Sequence, residues 1–349
     1  HPMRILIEIN HPAQVHFFKH LVFRLRARGD RVLVTSRDKD VTLRLLRATG
    51  IRHVCLSRQP SSGRPAMAME LIRRVRKLVA VARRFRPDVM VARGGATIGL
   101  PGALLRVPRV VFDDTEHARL ERVLSLPLAT RICTGAGYLG DHADCQRRFH
   151  AVPVMSYLAP SVFQPDESPL RQAGIDPGAP YVVLRAVSWQ AVHDQGISRP
   201  GETVMHDAVD RLSRFGRVIV TSESPLPASL APYANPVPVE HVHDLLAFAS
   251  CYVGEGGSMA SEAAVLGTPA VFCNPLRAGC GCILHLEQAY GLVRTVDSLP
   301  DGLAVAEAWL ADPDLAGTWS ERRARLVADS EDVTAFMLRV LEEVAEREP

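Results

Sequence analysis

Three glycines in four residues stand where a predicted strand passes into a predicted helix, in the stretch VGEGGSMASEAAVLGTPAVF at residues 253–272. A side chain at these positions would obstruct the turn. A glycine turn that opens onto a helix N-terminus binds anions, because backbone N–H groups and the positive end of the helix dipole converge there. Glu262, one turn into the helix, is placed to reach ribose hydroxyls beyond a bound phosphate. The candidate ligands of a nucleotide in this stretch are Gly256, Gly257, Ser258, Met259 and Glu262.

The densest group of acid–base side chains follows another predicted strand, in the sequence FDDTEH at residues 112–117. Proton transfer at a sugar hydroxyl needs a carboxylate or an imidazole within hydrogen-bond distance. We predict Glu116 and His117 as the first catalytic candidates, followed by Asp114. The alternative is that Asp113 or Asp114 caps a helix.

A further acid–base candidate, His16, follows the first predicted strand. Its imidazole titrates near neutral pH and is suited to act as a general base. The alternative is that His16 caps the following helix or packs against its first turn. Both interpretations stay open on the sequence alone.

Charge is distributed unevenly along the 349 residues. Up to Pro160 the chain has 28 Lys and Arg against 12 Asp and Glu, a balance of +16, and the remainder has 13 against 26, a balance of −13. The basic part is expected to meet an anionic partner. The helix predicted over Met67–Phe85 combines basic and apolar residues, which is typical of contact with an anionic membrane surface or of a solvated basic face. Nucleic acid is not expected as a partner, because aromatic residues are not interleaved with these basic ones.

Cysteine usage indicates reduced thiols in the core of a cytoplasmic protein, since the count of seven is odd and the residues are scattered. Cys280-Gly281-Cys282 is either a metal or redox pair or a loop of small residues, and no second pair stands at zinc-site spacing. We therefore expect no metal and no required cofactor. No membrane-spanning helix is expected, because the sequence has no apolar run of about eighteen residues. No signal peptide is expected, because the chain enters a strand directly at Met3.

Strands and helices alternate along the chain, which predicts an α/β fold with parallel sheets and helices on both faces. Strands are predicted at residues 4–9, 31–35, 53–56, 88–92 and 109–112 in the first half, and at 181–185, 217–221, 252–253 and 270–272 in the second. We predict an N-terminal Rossmann-like domain over 3–160, a proline-rich linker over 161–180, a second such domain over 181–330, and a C-terminal helix in 331–349 that packs back on the first domain.

The stretch at 253–272 resembles the nucleotide-sugar signature of GT-B glycosyltransferases and of non-hydrolysing UDP-N-acetylglucosamine 2-epimerases. A closer resemblance is to a bacterial and archaeal family of unknown function in the same superfamily, carried by the motifs HPAQVHFFKHL, FDDTEHA, YVVLRAVSWQAVHDQG, VTSESPLP and HDLLAFAS, which follow in order over nearly the whole chain. The resemblance implies a GT-B fold, with two doubly wound Rossmann-like domains facing across a cleft.

The resemblance also implies roles for residues at the ends of the second-domain strands. Glu262 would bind the ribose of uridine, as in the transferase that adds N-acetylglucosamine to lipid I. Arg185 and Ser188 would face the diphosphate, Ser222 and Glu223 would frame the base, and His243 would contact the base edge or cap its helix. Glu255 would point away, because a carboxylate beside a diphosphate is unfavourable.

These observations predict a metal-independent glycosyltransferase that moves a sugar from a nucleotide-sugar, expected to be UDP-linked, to an anionic, lipid-linked or small-molecule acceptor. The alternative is a UDP-N-acetylhexosamine 2-epimerase, which would use the carboxylates at 113–116 for elimination and re-addition. A third reading is a non-catalytic nucleotide-sugar-binding protein. The expected location is the cytoplasm, with peripheral contact at the inner membrane face.

Overall fold

The structure is a computed structural model that describes residues 2–60, 63–94, 97–114, 126–186, 201–222 and 225–346, with the side chain of Arg64 left out. The chain divides into two compact units. Unit 1 comprises residues 1–157 and 330–349, and unit 2 comprises residues 158–329.

Unit 1 is built on a parallel sheet of seven described strands, in the order β3-β2-β1-β4-β5-β6-β7. The strands are β1 (Arg4–Ile9), β2 (Arg31–Asp38), β3 (His53–Arg58), β4 (Val89–Arg93), β5 (Arg109–Asp113), β6 (Arg131–Thr134) and β7 (Gln146–Arg148). The α-helices up to the unit boundary are α1 (Pro12–Ala27), α2 (Thr42–Ala48), α3 (Arg64–Phe85), α4 (Gly99–Leu105) and α5 (Met155–Leu158). Apolar runs such as Ile5-Leu6-Ile7 are fully buried, as expected of a parallel sheet with helices on both faces.

Unit 2 contains a second parallel sheet, with five described strands in the order β12-β11-β10-β8-β9. The strands are β8 (Tyr181–Ala186), β9 (Arg217–Ser222), β10 (Cys251–Gly254), β11 (Ala270–Cys273) and β12 (Val293–Val296). The α-helices are α6 (Ser168–Gln172), α7 (Glu202–Leu212), α8 (Val242–Ala247), α9 (Gly257–Leu266), α10 (Gly281–Gln288), α11 (Leu299–Leu310) and α12 (Leu315–Asp329). Short 3₁₀ turns occur in both units, at Leu126–Leu128 and Ala143–Cys145 in unit 1 and at Ala228–Tyr233, Val239–His241 and Arg277–Gly279 in unit 2.

The last helix, α13 (Val333–Glu346), is part of unit 1. Its Glu343 accepts hydrogen bonds from Arg131 at 3.2 Å and Arg147 at 3.0 Å, on β6 and β7. The ring centroid of Phe336 lies 5.2 Å from that of Phe149. An amphipathic helix therefore packs against unit 1, where it also contacts α1 and β4.

The segment 161–180, predicted as a linker, lies in unit 2 and contains α6. Leu170 and Ile175 are buried, and the Asp166 N–H donates to Asp244 Oδ1 at 2.9 Å. The prolines of this segment predict a linker, but the structure includes the segment in unit 2. Its two buried apolar side chains, Leu170 and Ile175, pack there. The predicted α/β class with two parallel sheets is confirmed.

Candidate functional site

The glycine turn of unit 2 joins β10 to the N-terminus of α9. Gly256 is the cap residue, with φ −83° and ψ 105°, and no described side chain caps this helix end. The Tyr252 hydroxyl donates to the Gly256 carbonyl oxygen at 3.0 Å, and this hydrogen bond stabilises the turn. The first-turn N–H groups of a helix have no intrahelical partner, so an uncapped end is suited to bind an anion.

Arg185 lies across this turn from the end of β8. A Cβ atom added to Gly256 would stand 3.3 Å from Arg185 Cγ and 3.5 Å from Nε. A Cβ atom on Gly254 would stand 2.5 Å from the Arg185 carbonyl oxygen, which also accepts the Glu255 N–H at 3.3 Å. A side chain at Gly254 would collide with the backbone of the neighbouring strand, whereas one at Gly256 would only press on the Arg185 side chain. The guanidinium group adds positive charge beside a helix N-terminus, which strengthens the preference for an anion.

Glu262 and His243 form a buried pair one turn further along α9. Glu262 Oε1 lies 3.1 Å from His243 Nε2, and their side chains are 9% and 5% exposed. His243, on α8, also meets the ring of Phe163 edge-on, with centroids 6.1 Å apart. The structure thus brings together two residues that the sequence placed near the nucleotide. A carboxylate held by an imidazole is a fixed hydrogen-bond acceptor, which suits vicinal hydroxyl groups.

The remaining predicted donor residues lie at neighbouring strand and helix ends. Ser222 ends β9, and the Thr221 hydroxyl before it contacts Met259 Sδ at 3.8 Å. Ser258 is exposed in the first turn of α9. Ser188 and Glu223 lie outside the described residues. Apart from these two, the donor candidates are on the same edge of the unit 2 sheet, at the carboxyl ends of parallel strands.

Glu255 is the turn residue predicted to point away from a bound diphosphate. Burial, together with the charge of Glu255, raises the pKa of the Cys273 thiol to about 12. The Glu255 carboxylate therefore acts on the end of β11.

Unit 1 carries an ion pair at the ends of β4 and β5. The Arg93 guanidinium binds Asp114 through two hydrogen bonds, one of them from Nε to Oδ1 at 3.1 Å. Arg93 Cζ also lies 4.7 Å from the centre of the Phe17 ring. Asp114, a predicted catalytic residue, is thus held by a bidentate partner that stacks on an aromatic ring.

A second cluster joins the end of β5 to the loop after β6. The Tyr138 hydroxyl lies 2.5 Å from Asp113 Oδ2 and 2.8 Å from His142 Nε2. Asp113 is 6% exposed and Tyr138 is 7% exposed. Sequence analysis missed Tyr138 and His142, although Gly135, Gly137 and Gly140 around them mark a tight loop at a strand end.

A third polar cluster lies where β1 meets the loops after β4. Thr97 donates to the fully buried carboxylate of Glu8 and receives the Asn10 amide at 3.3 Å. Arg74 donates to Asn10 Oδ1 at 3.1 Å. Burial raises the pKa of Glu8, an effect opposed by the Arg74 charge. The cluster fixes the loops that leave β1 and β4.

His16 lies in α1, where its ring faces the Tyr157 ring with centroids 5.5 Å apart and a 30° tilt. It is 9% exposed, and its catalytic role stays a prediction. Glu116 and His117 lie outside the described residues. Unit 1 therefore presents Asp113 and Asp114 as its described carboxylates from the FDDTEH sequence.

Two absences apply to the described part of the chain. It contains no group of three or more His, Cys, Asp or Glu residues arranged to hold a metal ion. It also contains no helix long and apolar enough to cross a membrane.

The N-terminal part of the chain matches one known protein family. Residues 3–145 match the family described as "Protein of unknown function (DUF354)". An uncharacterised protein of Methanocaldococcus jannaschii is 20% identical over 289 residues, which cover 78% of this chain and 82% of that protein. The resemblance to a family of unknown function is confirmed over the matched segment.

A shorter match connects the chain to a characterised transferase. The UDP-N-acetylglucosamine–N-acetylmuramyl-(pentapeptide) pyrophosphoryl-undecaprenol N-acetylglucosamine transferase of Thermus thermophilus is 27% identical over 178 residues. The match covers 48% of this chain and 51% of that protein.

Solved structures of both enzyme classes share the fold. UDP-GlcNAc 2-epimerase from Neisseria meningitidis bound to UDP-GlcNAc superposes with a TM-score of 0.74 at 12% identity, covering 98% of this chain and 100% of that one. The spinosyn forosaminyltransferase SpnP superposes with a TM-score of 0.65 at 15% identity, covering 99% and 100%. The predicted GT-B fold class is confirmed, and at these identities the likeness concerns the fold alone.

Proposed function

We propose that this protein binds a nucleotide-sugar, expected to be UDP-linked, through unit 2 and transfers the sugar to an acceptor without a metal ion. One observation carries the proposal: the uncapped N-terminus of α9 lies beside Arg185, with the buried Glu262–His243 pair one turn away. This order of groups matches the order of diphosphate and ribose in a nucleotide-sugar. The names of the Thermus transferase and the Neisseria epimerase complex include UDP-GlcNAc or its sugar, which supports a UDP-linked donor.

Each group has a distinct role in this proposal. The N–H groups of Gly257 and Ser258, assisted by Arg185, bind the diphosphate and stabilise the charge that develops as it leaves. Glu262 accepts hydrogen bonds from the ribose hydroxyls, and His243 fixes the Glu262 carboxylate. No metal ion is needed where preorganised dipoles and a guanidinium provide this stabilisation.

Unit 1 provides the acceptor side of the proposed reaction. The balance of +16 up to Pro160 favours an anionic acceptor, such as a phosphate-bearing lipid or small molecule. His16, Asp114, Glu116 and His117 are the sequence-based candidates for the base that removes the acceptor proton.

Calorimetric titration with UDP, dTDP, GDP, ADP and their common sugars tests the donor site. We expect one nucleotide to bind, and Glu262→Ala to weaken its binding about 10- to 100-fold, because two hydrogen bonds to a charged group are lost. Glu321→Ala, at an exposed glutamate of α12, is the matched control and should bind as the wild type does. Absence of nucleotide binding, or equal binding by both variants, would contradict the proposal.

The second candidate is 2-epimerisation of a UDP-N-acetylhexosamine, favoured by the TM-score of 0.74 with the Neisseria epimerase. Here the carboxylates at 113–116 would support elimination and re-addition of the nucleotide. Incubation with the donor alone separates the two reactions: conversion to an epimer indicates an epimerase, whereas turnover only after addition of an acceptor indicates a transferase.

The third candidate, a binding protein without catalysis, is tested by the same assays. Under both enzymatic readings, Glu116→Ala with His117→Ala should abolish turnover and leave UDP binding intact. Unchanged turnover would remove these two residues from the mechanism, and binding without any turnover would favour the third candidate.

A further inference from the structure

The cluster of Asp113, Tyr138 and His142 in unit 1 places three titratable groups in one line. Asp113 ends β5, and the other two lie on the loop after the adjacent strand β6. The oxygen of Tyr138 is the centre of the line, 2.5 Å from Asp113 Oδ2 and 2.8 Å from His142 Nε2, whereas the two outer groups are 3.7 Å apart. Contact between carboxylate and imidazole therefore runs through the phenol.

The loop is shaped closely around the phenol ring. A Cβ atom added to Gly140 would stand 2.6 Å from Tyr138 Cε1 and 3.0 Å from its hydroxyl oxygen. Gly137 has φ +83°, a conformation that side chains rarely adopt. The Arg148 guanidinium donates to the Gly140 carbonyl oxygen at 2.9 Å and closes the loop. A phenol that only filled space would not need a carboxylate and an imidazole buried beside it, because burying polar groups costs free energy.

Two proton arrangements fit the same positions of the heavy atoms. In one, Tyr138 donates to an ionised Asp113 and accepts from a protonated Nε2 of His142. In the other, a protonated Asp113 donates to Tyr138, which donates to a bare Nε2. Passing between them moves two protons by one hydrogen bond each and carries one net proton between Asp113 and His142.

We propose that Asp113, Tyr138 and His142 form a proton relay that removes the hydroxyl proton of the acceptor during glycosyl transfer. The proposal rests on the proposed function. As the acceptor oxygen forms its bond to the anomeric carbon, the bond from that carbon to the diphosphate breaks, and its electron pair leaves with the diphosphate. Before the reaction the three groups hold one proton fewer than in either arrangement, with Asp113 ionised and Nε2 of His142 bare. The acceptor proton passes to Asp113, Asp113 passes a proton to the phenol oxygen as the Tyr138 hydroxyl proton moves to Nε2, and the imidazolium then releases a proton to water.

Asp113 is the end of the relay that meets the acceptor. It is the last residue of β5, at the edge of a parallel sheet where ligands bind. An ionised carboxylate has about four lone-pair sites and can accept several hydrogen bonds at once. The neighbouring Asp114 differs, since both of its oxygens are bound by Arg93.

Tyr138→Phe is the first test, because it removes the bridging oxygen and keeps the ring that the glycine loop encloses. We expect kcat to fall about 100-fold, the lower end of the range for general acid–base groups, with the KM for the donor changed less than about threefold. Tyr290→Phe is the matched control, since it removes a tyrosine-to-aspartate hydrogen bond of 3.1 Å in unit 2, and should retain kcat. Unchanged kcat in Tyr138→Phe with a lowered midpoint of thermal unfolding would overturn the relay.

A second measurement tests the relay by NMR and does not require catalytic turnover. In protein with ¹⁵N-labelled histidine, Asp113→Asn should change the Nε2 shift of His142, and Tyr138→Phe should abolish most of that change. Equal changes with and without Tyr138→Phe would overturn the relay. If the wild type neither binds nor turns over a nucleotide-sugar, the proposed function fails, and this coupling alone decides whether the three residues exchange a proton.

Discussion

The two units place their candidate chemistry at the same kind of sheet edge but build it from different parts of the chain. In unit 2 the candidate anion site is formed by the backbone, at the N-terminus of α9 and three glycines within four residues. In unit 1 the candidate groups are side chains from separate segments, such as Asp113 on β5 and His142 after β6. A backbone site depends on which side chains are absent, whereas a side-chain cluster depends on which are present.

The largest expected effect tests the backbone site. In Gly254→Ala the new Cβ atom would stand 2.5 Å from the Arg185 carbonyl oxygen, which cannot move without shifting β8. We expect UDP affinity to fall about 100-fold and unit 2 to lose about 1–3 kcal/mol of stability, as in overpacked cores. Calorimetry and urea unfolding measure both. Gly317→Ala, in α12, is the control, since its Cβ would meet no described atom within 4 Å. Equal UDP affinity in the two variants would contradict a backbone-built site.

A smaller effect separates the two aspartates of unit 1. Asp114→Asn removes the charged partner of Arg93, and we expect a loss of about 1–2 kcal/mol of stability with kcat lowered no more than about tenfold. Asp113→Asn should lower kcat far more. Steady-state kinetics of the two variants provide the comparison. If Asp114→Asn has the greater effect on kcat, Asp114 is the base and the relay does not serve the reaction.

The charge contrast between the two halves of the chain predicts a membrane preference. Helix α3 exposes Met67 (42%), Met69 (49%) and Ile72 (53%), and its basic residues include Arg73 and Lys77. We expect more co-sedimentation with phosphatidylglycerol vesicles than with phosphatidylcholine vesicles, reduced about fivefold by Lys77→Gln, at roughly 1 kcal/mol per basic residue. Sedimentation that does not depend on anionic lipid would rule out this contact.

The smallest expected effect concerns acid stability of unit 1. Partial desolvation, aided by a nearby lysine in each case, lowers the pKa of His11 and of His20 to about 4. Because His11 is exposed to solvent, its contribution to stability is small. Because these values lie below the unfolded value of 6.5, the unfolded chain takes up protons first, and the stability present above pH 6.5 is lost as the pH falls toward 4. His11→Asn keeps a cap for α1 but does not titrate. Urea unfolding at pH 7 and 4.5 should show a smaller loss for this variant, and an equal loss would contradict the assignment.

Sequence predicted the fold well, and it offered the unit 2 candidate residues, because both signals are local. Apolar runs bounded by glycine and proline located nine of the strands, and the donor residues from Gly256 to Glu262 are contiguous. Strands β6, β7 and β12 were missed, since they are three or four residues long and contain arginine. Pairing between neighbouring strands, not local pattern, makes them part of the sheets.

The unit 1 cluster could not be predicted in the same way. Asp113 and Tyr138 are 25 residues apart, and nothing in either local sequence indicates that β5 and β6 are neighbours. The glycines of TGAGYLG at 134–140 signalled a tight loop, but not which residue it encloses. Likewise, the ion pair that holds Asp114 depends on Arg93 from another strand end.

The return of α13 to unit 1 sets an order for folding during synthesis. Glu343, which binds Arg131 and Arg147, is added to the chain only after every residue of unit 2. Unit 2 is continuous in the chain and can complete its core first, whereas unit 1 is complete only once α13 has been added. A chain that stops before α13 would therefore contain all of unit 2 but lack Glu343, which Arg131 and Arg147 of unit 1 bind.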